Sequence, residues 1–167
     1  MSAPAIRLDG WRRVALLAAM AVAALVAGTL VYLVDRPPGH AMWIPHFALA
    51  PRPPTFGSIG DWLPSFVHPL AFALLTAAAL PAGSPWRYRG CVAWGAVDVA
   101  CELGQHAALK TAWLGLAEQG LAPVAASRYF LHGRFDVADL VAAAAGALAA
   151  AACLHCFDRF KENLHAR

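Results

Sequence analysis

A chain of 167 residues with 60% hydrophobic and only 14% charged residues has too few polar side chains to cover a water-soluble domain. Its mean hydropathy of +0.54 is typical of a polytopic membrane protein. The net charge of +3 is small, and we assign it to basic residues that flank membrane spans and contact anionic lipid, so a nucleic-acid partner is not implied. The composition predicts a single membrane domain over residues 1–167.

Four apolar runs follow one another along the chain, each bounded by charged residues, Pro or Gly. A helix needs about 20 apolar residues to cross a bilayer. The first run resembles a signal peptide, but its apolar stretch exceeds the usual signal core, so we interpret it as a retained span. We predict an all-α bundle of four transmembrane helices with two longer outer loops, 35–61 and 110–136. The predicted spans are 14–34, 62–80, 90–109 and 137–157.

The orientation follows from the basic residues near the span ends, because cytoplasmic segments of membrane proteins carry an excess of Lys and Arg. With the N-terminus inside, eight basic residues lie in the cytoplasmic segments and five lie in the two outer loops. We therefore predict that both termini are cytoplasmic. The eight are Arg7, Arg12, Arg13, Arg87, Arg89, Arg159, Lys161 and Arg167, and the five are Arg36, Arg52, Lys110, Arg128 and Arg134.

Three polar clusters stand at the ends of apolar runs that this topology brings to the outer face. An ionisable side chain at the centre of a membrane helix costs about 2.5–3.5 kcal/mol on insertion scales, so such groups usually face a protein interior or a water-filled site. Helical spacing places the members of each cluster on a shared face. The sequence predicts one outward-facing polar pocket lined by Asp61, His68, Asp98, Glu102, Gln105, His106, Arg134, Asp136 and Asp139.

Arg134 leaves two interpretations of this pocket open. It pairs with Glu102, Asp136 or Asp139 and joins the third span to the fourth, or its planar guanidinium binds an anionic group of a ligand. Carboxylates outnumber this cation, which favours a ligand. His68 is either a proton acceptor or a core histidine that is hydrogen-bonded to a carboxylate.

The polar residues also resemble a known family. Three groups of residues carry the resemblance. They are Asp61 with His68, the E-x-x-Q pair Glu102 and Gln105, and Arg134 with Asp136 and Asp139 before a helix containing Gly146. In these residues the chain is similar to the VanZ-like family of small multi-pass bacterial membrane proteins. The family takes its name from a protein linked to resistance to the glycopeptide antibiotic teicoplanin. The resemblance covers about residues 57–150. It implies a role at the bacterial cell envelope, in the plasma membrane, without a defined biochemical activity.

Three classes of function remain open. The first is a VanZ-like envelope protein that binds a lipid-linked or cell-wall-associated anionic molecule. The second is an intramembrane enzyme acting on a lipid head group, with His68 as general base and Glu102 or Asp139 as acid or metal ligand. The third is a structural or assembly protein without a ligand. Small residues around Gly28 and Gly146 permit close helix packing within the chain or in a homo-oligomer.

Two other groups of residues suggest a metal site only weakly. Cys153 and Cys156 form C-x-x-C, but they lie in an Ala-rich helix and no second such pair exists in the sequence. His40, Met42 and His46 form a conceivable copper set in a Pro-rich outer loop. Motifs for nucleotide hydrolysis and zinc proteolysis are absent from the sequence. We therefore predict no metal and no cofactor.

Overall fold

The computed structural model describes residues 4–36 and 55–165, with side chains for 10–36, 55–123 and 126–159. His40, Met42, His46, Arg52 and Arg167 lie outside the described residues. The described chain forms six α-helices and one 3-10 turn, Ala107–Leu109. The helices are α1 (Pro4–Val34), α2 (Gly57–Ala79), α3 (Trp86–Gly104), α4 (Lys110–Glu118), α5 (Val124–His132) and α6 (Val137–His165). The prediction of an all-α fold is confirmed for this part of the chain.

Three helical segments are long and apolar enough to cross a membrane, as expected for a membrane protein. They are Gly10–Val34 of α1, the whole of α2, and Val137–Arg159 of α6. Helix α3, with 19 residues, is not among them because it carries four charged side chains. These are Arg87, Arg89, Asp98 and Glu102.

Helix α2 lies at the centre of the bundle and packs against α1, α3 and α6, while α3 also packs against α6. Arg13 of α1 donates a hydrogen bond to Leu80 O at the end of α2, and Arg87 of α3 pairs with Asp158 of α6. The start of α1, the end of α2, the start of α3 and the end of α6 therefore share one end of the bundle. Helices α2 and α6 run in one direction, and α1 and α3 run in the other.

Small residues let the four long helices approach closely. A Cβ atom added at Gly28 of α1 would lie 2.6 Å from Val67 Cγ2 of α2, and one at Gly95 of α3 would lie 2.8 Å from the Cβ of Ala147 in α6. A Cβ at Gly146 of α6 would overlap the carbonyl oxygen of Phe66 in α2. Gly28 and Gly146 thus make contacts within one chain, in the manner of small residues at membrane helix interfaces.

The predicted outer loop 110–136 contains two helices, α4 and α5, which pack against each other. Helix α4 ends where Gly120 adopts a φ of +67°. There the Gly120 N–H donates to Ala117 O and the Leu121 N–H donates to Leu116 O, which is the Schellman pattern that ends a helix. The loop therefore forms a helical hairpin at the end of the bundle.

The helix bounds differ from the predicted spans at several places. Helices α1 and α3 begin earlier than predicted, at Pro4 and Trp86, and α6 extends past the predicted 157 to His165. Helix α2 begins at Gly57, five residues before the predicted 62, and continues through Pro64 and Pro69. Helix α3 ends at Gly104 rather than at the predicted 109, because His106 has an extended backbone with φ −62° and ψ 137°. The hydropathy of 105–109 extends the apolar run but does not reveal this break.

Candidate polar site at one end of the helix bundle

Residues from all three predicted polar clusters lie at the end of the bundle opposite Arg87. Ser65 of α2 donates a hydrogen bond to Asp139 Oδ1 of α6 at 2.7 Å. The backbone N–H of Asp136, just before α6, donates to Glu102 Oε1 of α3 at 2.5 Å. These two bonds bring the entry of α2, the exit of α3 and the entry of α6 together. We call this region the Glu102 end.

The two motif segments 102–105 and 133–136 contact each other directly. The first contact is the hydrogen bond that Asp136 N–H donates to Glu102. In the second, the side chain of Gln105 occupies the space where a Cβ at Gly133 would project. Glu102 and Gln105 are both buried. A Cβ at position 133 would therefore displace the end of the Gln105 side chain. The E-x-x-Q pair holds the segment that leads into α6.

The helical hairpin reinforces this junction. Trp113 of α4 stacks on Phe130 of α5 with ring centroids 4.1 Å apart, and its Nε1 donates to Gly104 O at 3.0 Å. Lys110 Nζ donates to Gly133 O at 3.2 Å. The Gly104 carbonyl belongs to the last turn of α3 and the Gly133 carbonyl to the residue after α5. Carbonyls at the end of a helix have no intrahelical N–H donor. The hairpin side chains supply these donors.

Several carboxylates interact across the Glu102 end. Glu102 lies within electrostatic range of Asp136 and Asp139. Asp98 and Asp139 both lie within electrostatic range of the Tyr32 hydroxyl at the end of α1. Asp98 Oδ2 is buried and has no hydrogen-bond partner among the side chains and backbone that the structure describes. An acidic oxygen in that state requires a proton, a water molecule or a ligand group.

Arg36 is the cation that connects α1 to the start of α2. Pro64 has no N–H to donate to Gly60 O four residues earlier, so that carbonyl is left without its helical partner. Arg36 Nη2 donates to Gly60 O at 3.2 Å and to Asp61 O at 3.0 Å. The Asp61 carboxylate lies 3.7 Å from Arg36 Nη1 but is largely exposed. Arg36 thus acts mainly on the α2 backbone.

His68 contacts aromatic residues rather than the carboxylates. Its ring centroid lies 6.2 Å from that of Phe72, which stacks on Trp94 of α3 at 4.8 Å. Trp94 Nε1 in turn donates to Thr76 Oγ1 at 3.0 Å. Among the described residues, His68 has no hydrogen bond to an acidic side chain. It forms part of an aromatic row between α2 and α3.

His106 and Arg134 lie on the surface of the Glu102 end. The Nδ1 atom of His106 accepts a hydrogen bond from Ala108 N at 3.3 Å, and its ring meets Phe135 edge-on at 5.0 Å. Arg134 is exposed. Within the described part of the chain, no ion pair or side-chain hydrogen bond of Arg134 is formed. The structure thus brings Glu102, Asp136 and Asp139 together. Asp98 lies one helical turn before Glu102 on α3, and His68 and Arg134 make no contact with these carboxylates.

The pocket residues predicted from the sequence do not include Tyr32, Asp35 or Ser65, although each lies at this end. Asp35 accepts hydrogen bonds from Thr55 N at 2.7 Å and Phe56 N at 2.8 Å, which ties the end of α1 to the start of α2. Ser65 lies four residues after Asp61, on the same helical face, and that spacing could have indicated it. Tyr32 gave no such signal, because aromatic residues near span ends usually belong to the interfacial belt.

No metal centre is evident in the described residues. These residues contain no group of three His, Cys, Asp or Glu side chains arranged to hold a metal ion. Cys91, Cys101, Cys153 and Cys156 are all unpaired thiols. No family model, curated protein or solved structure matches the chain.

Proposed function

We propose that this chain is a VanZ-like integral membrane protein of the bacterial cell envelope with four transmembrane helices. In this proposal the Glu102 end faces outward and binds an anionic molecule that is linked to lipid or to the cell wall. Helix α3 supplies the fourth span. Its 19 residues measure about 28 Å at 1.5 Å per residue, close to the thickness of the hydrocarbon core. It packs against both α2 and α6, and three of its four charged residues, Arg87, Arg89 and Glu102, lie near its ends.

The observation that carries the ligand proposal is the state of Arg134. Its side chain is exposed and has no carboxylate within 4.0 Å among the described residues, although Asp136 is two positions away. Glu102 accepts from the chain backbone, and Asp139 accepts from Ser65. These contacts favour a ligand role for Arg134 over an ion pair between α3 and α6. A guanidinium with all five N–H donors available suits a carboxylate or phosphate group.

A structural or assembly role is the second candidate function, and the junction of the two motif segments favours it. Glu102 and Gln105 are buried and contact the segment 133–136, so their polar groups serve the packing of the chain itself. In this alternative the polar residues position α6 and the hairpin, and no ligand is needed. The two candidates differ in what Arg134 does.

The variants Arg134→Ala and Arg134→Lys, compared with Arg128→Ala, separate the two functions. Arg128 is an exposed cation of α5, so its removal makes the same charge change in the hairpin that packs at this end. We expect Arg134→Ala to unfold within about 0.5 kcal/mol of the wild type, as surface substitutions usually do. We expect it to lose the anionic molecule that co-purifies with the wild type and to lose any effect on glycopeptide susceptibility.

Arg134→Lys should retain only part of the binding of the anionic molecule and part of the effect on glycopeptide susceptibility, because an ammonium group cannot reproduce the bidentate contact of a guanidinium. Arg128→Ala should resemble the wild type in thermal stability, in co-purified molecules and in susceptibility. If Arg134→Ala lowers thermal stability in step with the phenotype, or if Arg128→Ala has the same effect as Arg134→Ala, the binding function is wrong and the structural role is favoured.

A further inference from the structure

A second group of charged residues lies at the end of the bundle opposite the proposed ligand site. Arg87 of α3 is completely buried, and its Nη1 donates to Asp158 of α6, 2.8 Å from Oδ1 and 3.2 Å from Oδ2. The Tyr88 hydroxyl donates to Asp158 Oδ2 at 2.9 Å. Arg13 of α1 donates from Nη2 to Leu80 O at 2.9 Å. We call Arg13, Arg87, Tyr88 and Asp158 the Arg87 cluster.

The Arg87 cluster has more positive charge than its own carboxylate neutralises. Arg13 lies within electrostatic range of both Arg87 and Asp158 but forms no ion pair with Asp158, so this group holds two guanidinium groups and one carboxylate. The acceptor that Arg13 does contact, Leu80 O, is a neutral carbonyl at the end of α2. Two like charges held near each other repel unless an anion lies between them or beside them.

The hydrogen-bond donors of the Arg87 cluster are also incompletely used. Arg87 Nε and Nη2 and Arg13 Nε and Nη1 are buried and have no partner among the residues whose side chains the structure describes. A buried donor without an acceptor destabilises the folded protein, and more so when the group is charged. Arginine N–H groups left unpaired in this number indicate an acceptor with several oxygen atoms.

We propose that Arg13 and Arg87 bind a phosphate group at this end of the bundle. A phosphate presents several acceptor oxygens and carries the negative charge that the Arg87 cluster lacks, and guanidinium groups pair with it in bidentate fashion. Arg13 is partly exposed, but the unpaired nitrogen atoms of Arg13 and Arg87 are buried, so the side chains that cover them must move aside when a phosphate binds. Trp11 and Trp86 are exposed beside the Arg87 cluster, as in the aromatic belt at head-group level. The phosphate belongs either to a phospholipid head group or to free phosphate.

Arg13→Gln is the decisive variant, because it removes one guanidinium and leaves the pair of Arg87 with Asp158 in place. The matched control is Arg12→Gln, which removes an exposed cation next to Arg13 in sequence. The full chain in a neutral sugar detergent is titrated with short-chain phosphatidylglycerol, short-chain phosphatidylcholine or inorganic phosphate at constant ionic strength. Thermal unfolding reports binding, because a ligand of the folded state raises the Tm.

We expect the wild type to bind at least one phosphate-bearing probe. Arg13→Gln should bind that probe about 10- to 100-fold more weakly, because it loses charge-assisted hydrogen bonds to the phosphate. Arg12→Gln should lose at most about fivefold, the general attraction of one basic residue to an anionic surface. Arg13→Lys should bind more weakly than the wild type, because it keeps the charge and loses the planar fork. If Arg13→Gln does not fold, Arg13→Lys carries the same comparison.

The three probes distinguish the sources of the phosphate. If either short-chain lipid binds and inorganic phosphate does not displace it, the ligand is a phospholipid head group. If only inorganic phosphate binds, the ligand is free phosphate. Equal losses in Arg13→Gln and Arg12→Gln, or no Tm change of the wild type with any probe, would overturn the proposal. Because the site lies at the opposite end from Arg134, this test does not depend on the outcome for the Glu102 end.

Discussion

Arg87 and Glu102 are the two buried charged residues of α3, and their hydrogen-bond partners are of different kinds. Arg87 pairs with a carboxylate of α6, whereas Glu102 accepts a hydrogen bond from the Asp136 backbone. A buried charge that loses its partner is far more costly than a surface charge that loses one. We therefore expect the largest losses in the free energy of unfolding when the partner of one of these two residues is removed.

The pair of Arg87 with Asp158 should respond unequally to removal of its two members. Arg87 is 0% exposed and the Asp158 side chain is 35% exposed, so water can solvate only the carboxylate when it is left alone. We expect Asp158→Ala to lower the free energy of unfolding by about 3–5 kcal/mol and Arg87→Met to lower it by less. Thermal unfolding in a neutral detergent without phosphate measures both. An equal or larger cost for Arg87→Met would contradict this assignment of burial.

Gly146 should not tolerate even one added methyl group. A Cβ there overlaps the Phe66 carbonyl oxygen, which belongs to rigid helical backbone and cannot move aside without separating α2 from α6. We expect Gly146→Ala to destabilise the protein by about 1–3 kcal/mol, as overpacking does. Gly115→Ala in α4 is the control, because nothing lies within 4 Å of a Cβ at that position. It should be neutral or stabilising by up to about 1 kcal/mol. Similar behaviour of the two variants would argue against close contact of α2 with α6.

Among the elements, α2 shows how a proline-containing helix is sustained. Pro64 and Pro69 are both buried within it, and each removes one N–H from the helical ladder. Membrane helices tolerate such positions when neighbouring groups satisfy the exposed carbonyls. Arg36 does this for Gly60 O, and Asp35 accepts the N–H groups of Thr55 and Phe56 just before the helix. The end of α1 thus completes the start of α2.

Arg36 and Pro64 should therefore be energetically coupled. In the wild type, Arg36→Gln should cost about 1 kcal/mol, the usual net contribution of a hydrogen bond. In a Pro64→Ala background the new N–H can bond to Gly60 O, so the same substitution should cost less. A double-mutant cycle of unfolding free energies measures the coupling. Equal costs of Arg36→Gln in both backgrounds would show that Arg36 does not serve this carbonyl.

At the scale of the whole molecule, the helix order places the start of α1 and the end of α6 at the same end of the bundle. The contacts of Arg13 with Leu80 O and of Arg87 with Asp158 establish this arrangement independently of any membrane. Exported reporter fusions test the membrane orientation that we propose. We expect activity for a fusion at residue 50 and none at residue 85, because basic residues are more frequent at the Arg87 end.

The reverse pattern of reporter activity would place the Glu102 end in the cytoplasm. The proposed ligand of Arg134 would then have to be a cytoplasmic molecule. Activity at both positions, or at neither, would show that α2 does not cross the membrane, and would contradict the four-span arrangement.

Much of the fold was predictable because apolar runs of membrane length are set by local composition. Three of the four predicted spans correspond to helices that are long and apolar enough to cross a bilayer. The helices α4 and α5 were not predicted, because α4 has no long apolar run and its end depends on a glycine turn. The start of α2 was misplaced because residues 57–61 include two glycines, a serine and an aspartate, so the apolar run begins only at Trp62.

The sequence by itself determined the class of protein and the polar residues that cannot face lipid, because both follow from the cost of placing charge in hydrocarbon. Only the tertiary structure decided which of those residues meet. It joined Glu102 to the backbone of Asp136, placed His68 in an aromatic row, left Arg134 exposed, and buried Arg87 against Asp158. These pairings depend on the direction of each helix, on its rotation about its own axis and on close packing at glycines. A local sequence pattern does not specify these features, because they are set by contacts between distant parts of the chain.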